Sequence, residues 1–150
     1  MAREHTVQAR ATSVADAAAI WALLADTACW TRWAGFDRAE RTKDGAPEPE
    51  GVGAHRLFHS GRTRNEEEIE RFEPGAVLGY RVIGGNIPVR DYHSEVTLEP
   101  AEGGGTQITW RSTFQGRYPG IGGLVARRFA PFLQETADKL ARAAERGETP

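Results

Sequence analysis

The stretch Tyr118-Pro-Gly-Ile-Gly-Gly-Leu-Val-Ala-Arg-Arg-Phe-Ala-Pro-Phe-Leu-Gln-Glu-Thr-Ala-Asp-Lys-Leu-Ala-Arg-Ala-Ala-Glu-Arg146 decides the architecture. Gly120, Gly122 and Gly123 permit a sharp change of chain direction. Beyond them Leu124, Val125, Phe129, Phe132, Leu133, Thr136, Leu140 and Ala144 recur every three or four residues. That spacing lays one apolar stripe along a helix of about six or seven turns. Arg127, Arg128, Glu135, Asp138, Lys139, Arg142 and Glu145 fall mostly on the remaining faces. Pro131 removes one backbone hydrogen bond inside the pattern and is expected to bend the helix near Arg127. A helix with so wide an apolar face needs an equally wide apolar partner. The residues before it read as strands, so the partner is expected to be a sheet.

Upstream, Val7, Ala9 and Ala11 alternate with polar residues, the period of a half-buried strand. Ser13-Val-Ala-Asp16 matches a helix-starting box with a serine cap, and Ala17, Ile20, Trp21 and Leu24 give the helix its apolar side. Asp26 caps a second short helix carrying Cys29, Trp30 and Trp33. Alternation resumes from Phe36 to about Lys43, followed by a proline-broken loop at Ala46–Glu50. Ser60-Gly61, Pro74-Gly75, Gly84-Gly85-Asn86 and Glu102–Gly105 then separate short strand-like runs, which describes an antiparallel meander.

Composition narrows the function classes. With 150 residues the chain is expected to be one domain spanning 1–150. A net charge of −2 gives no basic footprint for nucleic acid. The single cysteine, Cys29, excludes an internal disulfide and a cysteine-rich zinc site. No apolar run reaches the roughly 18–20 residues that span a bilayer. The N-terminal residues lack a signal-peptide core, so a cytoplasmic protein is expected, monomeric or homodimeric.

Residues paired across a tight hairpin share a face, so the turns assign the interior. A two-residue turn at Ser60-Gly61 sets Arg56 opposite Asn65 and Ala54 opposite Glu67. A turn at Pro74-Gly75 sets Ile69 opposite Tyr80 and Arg71 opposite Leu78. Both place Ala54, Arg56, Phe58, Asn65, Glu67, Ile69, Leu78, Tyr80 and Val82 inside. His55, His59, Arg64, Glu66, Glu68 and Arg81 then point outward. Pairing of Val96 and Leu98 with Ile108 and Trp110 extends the inner face to Arg90, Tyr92, Ser94, Ser112 and Phe114. An even-length turn at Gly84–Asn86 would instead turn Asp91 and His93 inward.

The order of strand, two short helices, about six further antiparallel strands and one long helix is an α+β helix-grip arrangement. The sequence resembles the START and Bet v 1-like helix-grip superfamily, in particular its polyketide cyclase/dehydrase branch. The residues that carry the resemblance are Val14–Asp26, Trp30-Thr-Arg-Trp33, Gly51-Val-Gly53, Glu67-Glu-Ile69, Leu78-Gly-Tyr80, Leu98-Glu-Pro100, Gly104–Trp110 and Phe114. It implies a sheet of about seven strands wrapped around the long helix, with an elongated apolar cavity between them. Relatives of this kind carry or sense hydrophobic molecules, assist chaperones, or cyclise and dehydrate polyketides without a cofactor. In the aromatase/cyclase members an arginine and a tyrosine on the cavity side orient and enolise the substrate. The segments here that look like those positions hold Arg56 and Tyr92.

The residues themselves define a candidate site. Arg56 and Glu67 face an apolar interior, where an unpaired charge costs several kcal/mol, so they are expected to pair. Such a pair is a structural ion pair, or else a cation for an enolate oxygen beside a carboxylate that moves a proton. Tyr80, Tyr92, Trp110 and Ser112 offer aromatic area with polar tips, which suits a flat oxygenated ligand. Phe58, Asn65, Ile69, Arg90 and Ser94 complete the sheet side; Phe129 and Phe132 are expected on the buried face of the helix. His55 and His59 lie about 13 Å apart along one strand, too far to share a metal ion. No metal or cofactor is expected. The reading is a domain that binds a small hydrophobic, aromatic or polyketide- or lipid-like molecule; catalytic action by Arg56, Tyr92 and Glu67 on that molecule is the alternative.

Overall fold

A computed structural model of the chain describes residues 3–150. In order, its elements are β1 (Glu4–Ser13), α1 (Ala17–Ala25), α2 (Trp30–Trp33), β2 (Arg38–Lys43), β3 (His55–Ser60), β4 (Thr63–Glu73), β5 (Val77–Gly85), β6 (Val89–Pro100), β7 (Thr106–Gly116) and α3 (Gly122–Glu145). The strands form one sheet in the order β1-β7-β6-β5-β4-β3-β2, antiparallel throughout. From β2 to β7 each strand pairs with its successor. Only the passage from β1 to β2 crosses from one edge to the other, and α1 and α2 make that crossing. None of the described helices is long and apolar enough to cross a membrane.

The beginning of the crossing differs in detail from the sequence reading. Ser13 ends β1, and its hydroxyl donates to the Ala141 carbonyl at 2.9 Å. Asp16 is the cap of α1, accepting from the Ala19 N–H at 2.8 Å. A carboxylate is at least as good an acceptor as a hydroxyl at this position, which frees the serine to bind the helix opposite. Asp26, expected to cap the second helix, instead ends α1 and accepts from the Cys29 N–H at 3.1 Å, while α2 starts after Cys29 without a side-chain cap. The indoles of Trp30 and Trp33 donate to the carbonyls of Leu24 and Leu23 at 3.0 and 3.2 Å. Those carbonyls belong to the end of α1, where helical partners run out. The Cys29 thiol is buried, and burial followed by the nearby Asp26 charge pushes its pKa up to about 11.

Three features of the strand pairing bear on the expected faces. The β3–β4 turn is Gly61-Arg62, with Ser60 paired to Thr63, so Arg56 stands directly opposite Glu67 and Phe58 opposite Asn65. The expected diagonal arrangement is therefore corrected by two residues, and parity is kept. Gly61, at φ +58°, supplies the left-handed backbone for that turn. At the next turn Ile69 does face Tyr80, but a bulge puts Arg71 opposite Gly79 and Phe72 opposite Leu78. The third is a bulge between Arg90 and His93, where Asp91 adopts φ +47°. One extra residue in β6 inverts the alternation before it. Arg90, expected inside, is thereby turned outward and exposed, while Val89 turns inward; Tyr92 and Ser94 remain inside.

Helix α3 is held at both ends. At its start, a methyl added to Gly116 would lie 2.7 Å from the Gly122 nitrogen, so strand and helix backbones nearly touch. Over its last turns, buried Ala137, Ala141, Ala143 and Ala144 flank Leu140 and allow close packing on the sheet. The Gln134 side chain accepts from the Arg10 N–H and donates to the Arg10 carbonyl, binding α3 to β1. Between these anchors the helix carries Leu124, Val125, Phe129 and Phe132, with Pro131 inside. The expectation that both phenylalanines are buried holds only in part. Phe129 is half-buried, but Phe132 is 44% exposed. It borders open space and not the packed sheet.

Leu140→Ala is expected to lower stability by about 2–5 kcal/mol in urea unfolding, because the side chain is wholly enclosed. Phe132→Ala should cost only about 1 kcal/mol, since much of its surface is already in water. Equal losses at the two positions would contradict this placement of the helix.

Candidate functional site

The space under the middle of α3 is a cavity of about 660 Å³. Its sheet side presents Phe58, Asn65, Glu67, Tyr80, Tyr92, Trp110 and Phe114, while Val125, Phe129, Leu133 and Thr136 face it from the helix. Trp30 and Phe36 close the side between α2 and β2. Ser60, Thr63, Asn86 and Arg128 give the lining further polar groups. Phe129 meets Tyr92 edge-on at 5.8 Å and stacks with Phe132 at 6.0 Å. Tyr92 in turn stacks on Phe114 at 5.8 Å. These contacts present flat aromatic surface to whatever enters, a good match for an unsaturated ring system.

The inward charges expected from the hairpin pattern meet in one cluster. Arg56 Nη2 donates to Glu67 Oε1 at 2.5 Å, and Asn65 Nδ2 donates to Glu67 Oε2 at 2.6 Å. Arg56 is only 1% exposed, with its guanidinium carbon 5.0 Å from the ring centre of Trp30 and 5.1 Å from those of Phe58 and Tyr80. Those ring faces favour a cation electrostatically and also cover it. Arg56 consequently sits behind the cavity wall; Glu67 and Asn65 form part of the wall itself. Burial raises the Glu67 carboxyl above the usual carboxylate range, opposed by the Arg56 charge and by hydrogen bonds from Arg56 and Asn65.

A second polar group runs along β5, β6 and β7. Trp110 Nε1 donates to the Tyr80 hydroxyl at 3.0 Å and to Ser94 Oγ at 3.1 Å. Ser94 Oγ lies 2.8 Å from Ser112 Oγ, which lies 3.0 Å from the Tyr92 hydroxyl. Both tyrosines are held above the ordinary phenol range. Burial is the main cause, followed by the Glu67 charge for Tyr80 and by Tyr80 for Tyr92. They are neutral donors and acceptors at physiological pH. Ser94, Ser112 and Ile69 are buried beneath the lining, and Arg90 lies outside it on the exposed face.

Of the sequence candidates, the structure gathers Glu67, Tyr92, Phe58, Asn65, Tyr80, Trp110, Phe129 and Phe132 around one cavity. Phe36, Ser60, Thr63, Asn86 and Arg128 join them without having been singled out. Phe36 had a signal, an aromatic residue at the start of an alternating run. The other four are polar groups at strand ends or on the helix and carry none. On the opposite face of the sheet, His55 pairs with Glu68 at 3.0 Å and His93 with Glu70 at 2.8 Å. Among the described residues no three potential metal ligands come together.

The buried pair makes a pH-dependent prediction. Arg56→Met removes the cation that opposes the rise of the Glu67 pKa, so the folded chain holds that proton more tightly than the unfolded chain. Its contribution is therefore favourable below the ordinary carboxylate range and is lost as pH rises through the elevated value. The variant should lose about 3–5 kcal/mol near neutral pH and less near pH 5. Adding Glu67→Leu should recover most of the loss and flatten the pH profile, as read by chemical unfolding at several pH values.

Comparison with known proteins places this geometry among relatives. A START superfamily protein from Mycobacterium smegmatis superposes with a TM-score of 0.81 at 11% identity, covering 96% of this chain and 99% of that one. Ara h 8.0201 gives 0.76 at 16% identity, over 95% and 98%. Norcoclaurine synthase from Thalictrum flavum, solved with dopamine and hydroxybenzaldehyde, gives 0.76 at 14% identity, over 99% and 91%. At these identities the likeness is one of fold, and the fold is Bet v 1-like. No curated protein sequence matches significantly. The family described as polyketide cyclase / dehydrase and lipid transport, however, matches residues 4–145 in sequence, which takes in every strand and helix around the cavity, and the chain belongs to that family.

Proposed function

We propose that this protein binds a small, flat hydrophobic molecule, aromatic or polyketide- or lipid-like, in the cavity between sheet and α3, as a carrier or sensor. The observation that carries the reading is the 660 Å³ aromatic-lined space under a helix anchored on both sides of it. A well-packed interior leaves few voids larger than a water molecule, so a space of this size is a feature that the packing maintains. Membership of a family that includes lipid transport supports the same reading. Arg56 favours carriage over chemistry. Its guanidinium is bound to Glu67 and covered by three rings, so it does not meet a substrate oxygen in this arrangement.

One observation favours a second reading, a cyclase- or dehydrase-type enzyme. Glu67 lines the cavity and has a raised pKa, a combination suited to moving a proton at an apolar substrate. In that reading Glu67 accepts an α-proton and Tyr92 donates a hydrogen bond to the oxygen that gains charge. Loss of one such donor slows turnover about 10²–10³-fold.

An apolar fluorescent dye should bind with roughly micromolar affinity, about −8 kcal/mol, and be displaced by flat aromatic competitors. Val125→Trp, which projects an indole into the space, should weaken binding at least about tenfold with circular dichroism unchanged. No dye uptake by the folded chain would reject the cavity reading. Mass spectrometry after incubation with a poly-β-keto mimic separates the two readings: the carrier returns it unaltered, whereas an enzyme yields a cyclised or dehydrated product that Tyr92→Phe diminishes.

A further inference from the structure

The polar side chains that line the cavity are mostly committed to partners within the chain. The Trp30 indole donates to the Leu24 carbonyl, and the Thr136 hydroxyl donates to the Phe132 carbonyl at 2.8 Å. Tyr80, Tyr92 and Trp110 are joined through Ser94 and Ser112. Glu67 is held by Arg56 and Asn65, so its charge is balanced from behind the wall. Asn86 accepts from the Arg64 N–H at 2.8 Å and donates to the Arg62 carbonyl at 2.7 Å. Ser60, Thr63 and Arg128 are different. These lining residues make no side-chain hydrogen bond to the described residues, and all three are exposed.

Arg128 stands on one row of α3 with Leu124 and Phe132, four residues to either side. All three line the cavity and all three are exposed, so this row forms the helix side of the mouth. No acidic residue occurs between Glu102 and Glu135, so neither the β7–α3 connection nor the N-terminal half of α3 supplies Arg128 with a counter-charge. By contrast, Lys139 further along the helix is met by Glu135 at 3.5 Å. Beside the β3–β4 turn that bears Ser60 and Thr63, Asp37 accepts from the Gly61 N–H at 2.7 Å and Glu66 pairs with Arg64 at 3.2 Å. The charge at the mouth is therefore positive. A guanidinium only donates, in a planar fork that matches two carboxylate oxygens, whereas the Ser60 and Thr63 hydroxyls donate or accept. Apolar neighbours at Leu124 and Phe132 lower the local dielectric and strengthen attraction to an anion. An ammonium group would meet a like charge, and a neutral group would leave the arginine as it is.

We propose that the ligand is an amphipathic acid, with its apolar body against the aromatic surfaces of the cavity and its carboxylate at the mouth on Arg128. This rests on the reading that the cavity binds flat hydrophobic molecules, and the two are separable by experiment. Naphthalene, 2-naphthoate and methyl 2-naphthoate share one ring system and differ in the group tested. Titrated into the full chain at low ionic strength and followed by ligand fluorescence, 2-naphthoate should bind about tenfold more tightly than its ester. That preference should shrink as salt is raised to about 0.5 M, because Arg128 is open to solvent. Arg128→Gln should bring the acid and the ester within about twofold of each other while naphthalene binding is retained. Arg127→Gln removes the same charge from a neighbour outside the lining and should leave the preference in place.

Equal affinity for 2-naphthoate and its ester in the unmodified chain would overturn the proposal and leave the cavity reading standing. So would an acid preference that survives Arg128→Gln, or one that Arg127→Gln abolishes to the same extent. Equal affinity together with sedimentation of the chain on phosphatidylglycerol vesicles would assign Arg128 to a lipid surface instead. Failure of all three compounds to bind would overturn both readings. The comparison within the unmodified chain decides the matter even if a variant does not fold.

Discussion

Side-chain size along α3 governs the distance between helix and sheet, and that distance governs everything else in the molecule. Where the helix face is alanine, at 137, 141, 143 and 144, it lies close on the sheet and is fully enclosed. At Gly122 the two backbones almost touch. Between these points the same face bears Leu124, Val125, Phe129 and Phe132 over a sheet surface that includes Phe58, Tyr80, Tyr92 and Phe114. Large groups on both sides cannot interdigitate along a helix whose ends are already held in place, and the space remains. The aromatic character of the cavity and its position come from one gradient of residue volume.

The interior tolerates a full ion pair because its parts satisfy different needs. Coulomb attraction and a short hydrogen bond join Arg56 to Glu67, Asn65 takes the second carboxylate oxygen, and aromatic faces surround the guanidinium. The cluster divides the cavity wall chemically. Behind it lies positive charge covered by rings; in front, Glu67 and Asn65 join the aromatic surface of the wall. A buried pair of this kind adds little net stability compared with a hydrophobic replacement. Its effect here is to keep the Arg56 guanidinium behind the cavity wall.

Much of this was legible from residue order. The helix stripe, the two helices between first and second strands, and the inward parity of Arg56, Glu67, Tyr80 and Tyr92 all follow from periods of 3.6 and 2. A two-residue register error at Gly61 left each face intact, because the period of a strand is itself two. The bulge at Asp91 is different. Its single extra residue exchanges Val89 for Arg90 on the inner face, and Asp91 resembles any other residue of a mostly polar strand. The stripe on α3 likewise identified the helical face but not its distance from the sheet. Periodicity reports direction, whereas Phe132 needed a separation, which only the packed structure supplies.

The contact between Gln134 and Arg10 also bears on how molecules of this protein behave toward one another. Strand β1 ends the sheet, and the backbone N–H and C=O of Arg10 point away from its only neighbour. A free edge of this sort is a template for a strand from another chain. Gln134 occupies both groups with an amide that has the same donor and acceptor as a peptide, so the helix substitutes for a missing strand at that point. At the far edge, β2 is short and bears charged side chains, Arg38 paired with Glu40 and Arg41 with Asp44 and Glu50, which an added strand would have to strip of water. An open seven-stranded sheet is in this way guarded on both sides against adding an eighth strand from solution.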